Sequence, residues 1–190
     1  MELSNESTSV AHRSAETSMF ELFKQDLQRW IIPGQIASAS EVSTGVIFKL
    51  LIRHMQARAM LLIRFGAWCN RKHIRGLPYI TQRLLSLFYG LEIAVSQEIG
   101  GGLYIAHPYG TVIMPERIGK NCSVVHNVTI GLRNENTFPC IGNNVYIGAG
   151  ARVLGGITIG DGVKSGANAV VIDDVPPGKT VVGVPAKVIN

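Results

Sequence analysis

IGNNVYIGAGARVLGGITIGDGVKSGANAVV, residues 141–171, repeats itself every six positions. Ile141, Ile147, Val153, Ile159 and Val171 mark the period, with Ser165 where an aliphatic residue is due, and Gly or another small residue usually follows. The same period runs back through Ile130, Val124, Ile118, Val112, Ile105, Ile99 and Ile93. Two intervals break it: seven residues separate Ile105 from Val112, and eleven separate Ile130 from Ile141. Helices repeat at about 3.6 residues and strands at 2, so neither produces six. A hexapeptide period is the mark of a parallel β-helix, whose coils stack one short strand per wall.

In such a coil the aliphatic residues fill a triangular prism, and Gly, Ala, Asn and Asp tolerate the cramped or left-handed corners. Thirteen hexads at three per coil predict a little over four coils. Val175-Pro176-Pro177-Gly178 should end the regular run, with VVGVPAKVI as a strand-like cap. The eleven-residue interval has to leave the prism as a loop, GLRNENTFPC. A solenoid that ejects one loop usually uses it for binding or assembly.

Upstream of the repeat the pattern is helical. Residues 1–18 read as a disordered polar leader without the apolar core of a secretory signal. Phe20, Phe23, Leu27 and Trp30 predict a helix from Met19 to about Trp30, closed by Ile31-Ile32-Pro33-Gly34. After a Ser-rich linker, ASASEVSTG, one helix is expected from about Val46 to Asn70. Pro78 opens the last helix, through Tyr89, and Gly90 ends it. The domain reading is therefore a leader over 1–18, a helical region over 19–90 and a β-helix acyltransferase domain over 91–190.

Residues 1–91 hold eleven Lys/Arg against six Asp/Glu, whereas residues 92–190 hold seven of each. The basic excess thus belongs to the helices. It reads as a solvated helix surface, with peripheral contact to a membrane as the alternative, and gives no ground for a nucleic-acid partner. Lys49, Arg53, Arg58 and Arg64 interrupt the apolar run 46–68, which argues against a bilayer span. Cys69, Cys122 and Cys140 have no Cys-x-x-Cys spacing and an odd count, as expected in a reducing cytoplasm. Cys122 reads as packing.

His107 and His126 both occupy the third position of their hexad, two residues after Ile105 and Val124. That frame stacks them on one wall, one coil apart. An imidazole near neutral pKa can take a proton from a hydroxyl when a carboxylate fixes its tautomer. Glu92, ahead of the first coil, is the candidate. Metal binding is the rival chemistry, but the other histidines, His12, His54 and His73, lie outside the repeat, so no metal is expected.

GLEIAVSQEIGGGLYIAHPYGTVIMPE, NVTIGL, IGNNVYIGAGARVLGGITIGDGVKSGANAVV and VPPGKTVVGVPAKVI together resemble the serine acetyltransferases of the hexapeptide-repeat acyltransferases. The resemblance covers about residues 90–190, with a weaker echo at AMLLIRFGAW. It implies an N-terminal helical region followed by a left-handed parallel β-helix with one protruding loop. It further implies a homotrimer with active sites in the clefts between subunits, and acetyl-CoA as acyl donor. By position, His107 matches the family's general base and Glu92 the aspartate that orients it. Gly131, Gly148, Ala149, Gly150, Gly166 and Ala167 match donor-binding positions, and Lys187 is placed to meet the nucleotide phosphates.

The departures concern the acceptor. Ala106 stands where the family carries an Asp before the histidine, and Phe138 replaces a His before Pro139. With His126 these residues would line the acceptor pocket. L-serine is the family's acceptor, and a sugar hydroxyl is the alternative that the lost Asp favours. The chain stops at Asn190, so the tail by which family members dock into cysteine synthase is expected to be missing. The shorter helical region also weakens the case for pairing two trimers. A β-helix serving only as an assembly scaffold is the competing class, and it leaves Glu92 and His107 without a purpose.

Overall fold

A computed structural model describes residues 17–31 and 42–189. The expected leader, up to residue 16, and most of the expected linker lie outside these. Helix α1 (Met19–Ile31) starts where the Ser18 hydroxyl accepts the Glu21 N–H at 3.1 Å, and it buries Phe23 and Leu27 on one face. Helix α4 (Leu77–Tyr89) begins with Pro78 in its first turn and ends at Gly90, whose φ of 56° suits glycine.

Between them, the single helix expected from Val46 to Asn70 is two: α2 (Thr44–Arg53) and α3 (Met55–Arg71). His54 interrupts them in an extended conformation, φ −120° and ψ 112°. The break redirects the chain so that Ile47 and the run Ala57, Ala59, Met60 and Ile63 all reach the core. It also strands carbonyls at the end of α2, and the Arg58 guanidinium donates to two of them, Leu51 at 3.0 Å and Ile52 at 3.3 Å. Apolar periodicity continued across the break, which is why the sequence showed one helix.

The remainder is a parallel β-solenoid with three walls. The first wall stacks β1 (Leu91–Ile93), β4 (Thr111–Ile113), β7 (Thr129–Gly131), β10 (Arg152–Leu154) and β13 (Val170–Val171). The second stacks β2 (Glu98–Ile99), β5 (Arg117–Ile118), β8 (Cys140–Ile141) and β11 (Thr158–Ile159), and an isolated bridge from Ile159 to Val175 extends it. The third stacks β3 (Tyr104–Ile105), β6 (Ser123–Val124), β9 (Tyr146–Ile147), β12 (Lys164–Ser165) and β14 (Thr180–Val182), with β15 (Lys187–Val188) folded back antiparallel. The bridge at Val175 and strand β14 complete a fifth coil, so VPPG turns a corner and does not end the stack.

The hexad frame holds except at one residue. Val112 was expected inside, but Ile93 pairs in register with Ile113, and Val112 pairs with the outward-facing Glu92. Thr111 and Ile113 fill the interior. The cause is the corner His107-Pro108-Tyr109-Gly110, which spends extra residues before β4 begins. The ejected loop leaves between β7 and β8 as expected, with residues 132–137 exposed.

Helices and solenoid are joined by a buried ion pair. Arg64 of α3 donates to both carboxylate oxygens of Asp26 on α1, at 2.7 and 2.8 Å, and both side chains are buried. The same guanidinium donates to the Ile99 and Gly100 carbonyls at 2.7 Å, and Asp26 accepts the Leu103 N–H at 2.9 Å. Burial pushes the Asp26 carboxyl above its ordinary pKa, against the pull of the guanidinium. Every partner at this junction is hydrogen-bonded, which is what burying two charges requires.

Candidate active site

One edge of the prism, where the third wall turns into the first, carries most of the candidate residues. Strands β3 and β6 are in register, Ile105 opposite Val124, so His107 and His126 fall at equivalent corner positions one coil apart. Their rings meet edge to face with centroids 6.2 Å apart, and both are exposed. The extra corner residues follow His107, so they shift the frame of β4 without separating the pair.

Further along the same edge, Gly148-Ala149-Gly150 follows β9 and Gly166-Ala167 follows β12. The Gly148 N–H bonds the Ser165 carbonyl at 3.1 Å, and a Cβ on Gly148 would stand 2.7 Å from that oxygen, so no side chain fits. Gly150 holds φ 71°, a conformation that favours glycine. Lys187, on β15 beside Val182, is exposed near the end of the edge. From His107 to Gly166 the edge rises three coils, ~14 Å at ~4.8 Å per strand. The result is a shallow track, with imidazoles at the helical end and small residues beyond.

Glu92 points outward from β1, just round the corner from His107, where the Gly110 N–H bonds the Gly90 carbonyl at 3.0 Å. It lines a cavity of about 230 Å³ between α4 and the first wall, with Gln82, Arg83 and Met114. Within the single chain Glu92 and His107 share no hydrogen bond or ion pair. Ala106, half-buried, has its carbonyl held by the Gln56 amide at 3.0 Å. Gly131 and Phe138 are not on this edge: Gly131 ends β7 and Phe138 lies in the ejected loop, across the first wall at the next corner.

Sequence reasoning missed the supports of this edge. Gln56 is one. Arg152 is another: its guanidinium donates to the Asn127 carbonyl beside His126 and to the Gly150 carbonyl at 2.9 Å. Trp30 packs at a tilt on Tyr104 with centroids 4.6 Å apart, seating α1 against the third wall. Contacts between residues so far apart in the chain leave no periodic trace. Cys122 is buried as expected, and burial raises its thiol pKa to about 11. Among the described residues, no group of three or more His, Cys, Asp or Glu side chains gathers as metal ligands would.

No family model matches the chain. It is 37% identical over 147 residues to the serine acetyltransferase of Helicobacter pylori (strain ATCC 700392 / 26695), an alignment covering 75% of this chain and 86% of that protein. Among solved structures, soybean serine acetyltransferase complexed with serine superposes with a TM-score of 0.77 at 31% identity, over 93% of this chain and 71% of that one. A serine acetyltransferase in complex with CoA superposes with a TM-score of 0.75 at 28% identity, over 92% and 71%. Sequence identity over most of the relative's length and agreement of both the helices and the solenoid lead to one conclusion: the chain belongs to the serine acetyltransferase family and is an acetyltransferase of the hexapeptide-repeat class.

Proposed function

We propose that this protein transfers the acetyl group of acetyl-CoA to a hydroxyl acceptor, with residues 91–190 carrying the chemistry and the helices of 19–90 supporting the first coil. The observation that carries this reading is the shared edge: exposed imidazoles at one end and a track of small residues leading to them. His107 takes the proton of the acceptor hydroxyl as its oxygen attacks the thioester carbonyl. The tetrahedral intermediate then collapses to the acetyl ester as the carbon–sulfur bond breaks. The imidazolium of His107 returns its proton to the leaving sulfur, so that CoA departs as the thiol. Glu92 holds the imidazole in the tautomer that accepts this proton. Catalytic hydrogen bonds are often open before substrate binds, and both side chains are exposed.

The donor lies along Gly148, Ala149, Gly150, Gly166 and Ala167, with Lys187 near its phosphates. A relative in complex with CoA supports the identity of the donor. Gly131 and Phe138, one corner away, serve the site of a neighbouring subunit in this reading, in a homotrimer with the reaction in the intersubunit cleft. His126 lines the acceptor side. L-serine is the acceptor we favour, since a relative is complexed with serine. A sugar hydroxyl is the second reading, favoured by Ala106, which offers no carboxylate to an amine. We place the enzyme in the cytoplasm, its cysteines unpaired, with the basic helices free to meet an anionic surface.

The test is thiol release from acetyl-CoA with serine and with a panel of sugars. Turnover with one acceptor that His107→Ala lowers by about 10²–10⁴-fold supports the base. A variant as fast as the parent on every acceptor would remove His107 from the mechanism.

A further inference from the structure

We infer that helix α2 is a docking face for an anionic phospholipid surface. Between residues 42 and 91 the chain carries eight Lys/Arg and no Asp or Glu. Of these cations only Arg64 is buried, on Asp26; the other seven are exposed. The solenoid, by contrast, balances its charges. The excess positive charge of the protein therefore falls on the stretch from α2 to α4.

Helix α2 adds apolar anchors to that stretch. Ile47 is buried, and Leu50 and Leu51 pack against the core. On the opposite side Phe48 and Ile52, one turn apart, are 66% and 62% exposed, with Lys49 and Arg53 next to them. Two large apolar side chains bordered by cations suit a helix lying in the headgroup layer. No described helix is long and apolar enough to cross a membrane, so the contact is one of surface.

Charge selects this occupant over the others. A contact pairing α2 with α2 of a second copy would oppose Lys49 and Arg53 to their like, with no carboxylate on that helix to relieve them. Nucleic acid would satisfy Lys49 and Arg53 but leave Phe48 and Ile52 in water. The face also adjoins the histidine edge, because α3 begins just past α2 and its Gln56 holds the Ala106 carbonyl. A hydroxyl acceptor carried on the membrane would meet that edge, a corollary that rests on the proposed activity.

Sedimentation with phosphatidylcholine vesicles, with and without phosphatidylglycerol, tests the inference on the whole protein. Binding should be at least ~10-fold tighter to the anionic vesicles and should fade as salt rises. Lys49→Glu with Arg53→Glu should weaken it roughly tenfold or more. Phe48→Ser with Ile52→Ser should weaken it while leaving the circular dichroism melt and the turnover of a soluble acceptor unchanged. Equal partition to both vesicle types overturns the inference. So does a Phe48/Ile52 variant that changes oligomeric state while binding vesicles as the parent does. Because acetyl transfer to a soluble acceptor is measured separately, failure of the docking face and failure of the proposed chemistry give different results.

Discussion

The Gln56 side-chain amide donates to the Ala106 carbonyl at 3.0 Å, tying the start of α3 to the backbone one residue before His107. Fifty residues separate the partners, and the bond links a helix side chain directly to the histidine corner. Its removal should loosen the proposed base without unfolding the coil. In Gln56→Leu, kcat should fall about tenfold, equivalent to ~1.4 kcal/mol, with the KM for acetyl-CoA held. Steady-state kinetics beside a thermal melt would separate this from general damage. A rise in KM with kcat intact would assign Gln56 to binding.

The Asp26–Arg64 pair should behave as a unit. Arg64→Met leaves a buried carboxyl facing two carbonyls that have lost their donor, and should cost about 3–5 kcal/mol in urea unfolding. Adding Asp26→Leu should recover part of that loss, giving a coupling above ~1 kcal/mol. The pH dependence has a definite sign. Burial already raises the Asp26 pKa, and without the guanidinium it rises further. The folded Arg64→Met protein then binds a proton that the unfolded chain releases above about pH 4. Its stability should be greatest below that pH and fall as pH rises through the folded-state value. A deficit independent of pH would mean that Asp26 does not titrate with folding.

Much of this architecture was legible because a solenoid repeats its physics in every coil. Ile99, Ile105, Ile118, Val124 and the later hexad residues all face inward, and the histidines two places after Ile105 and Val124 had to stack. Val112 misled because Thr111 and Ile113 on either side take the interior and the corner before them is longer. That corner has no counterpart elsewhere in the repeat. The break at His54 was hidden by apolar residues that continue through it. Asp26–Arg64, Gln56–Ala106 and Trp30–Tyr104 join segments far apart in the chain, where local periodicity carries no information. Glu92 and His107 were singled out by spacing, but within the single chain no hydrogen bond or ion pair joins them, and spacing carries no information on side-chain rotation.

Thiol chemistry offers an independent check on the coil interior. Cys69 and Cys122 are buried, and the Cys122 Sγ donates to the Gly142 carbonyl at 3.1 Å. With its pKa near 11, Cys122 holds almost no thiolate at pH 8. Cys140 faces outward from β8 and is half-buried. One thiol per native chain should therefore react promptly with a disulfide reagent at pH 8, and all three should react in guanidinium. Cys140→Ser should abolish the prompt phase. A prompt phase that persists in that variant would mean the interior opens under native conditions.

The placement of Gly131 and Phe138 across the first wall from His107 has a consequence for mixed assemblies. If a site combines the histidine edge of one subunit with the loop of the next, two separately inactive chains can rescue each other. One is His107→Ala; the other lacks residues 133–137 of the loop. In randomly mixed trimers a cleft is intact when its edge comes from the loop-deleted chain and its loop from the His107→Ala chain. Each condition holds half the time, so about one quarter of the clefts should be active in a ring of heterologous contacts. Co-refolding equal amounts of the two variants should thus restore roughly 25% of parental turnover, where each alone shows almost none. If edge and loop served the same subunit's site, no intact site could form, and the mixture would stay as inactive as its components.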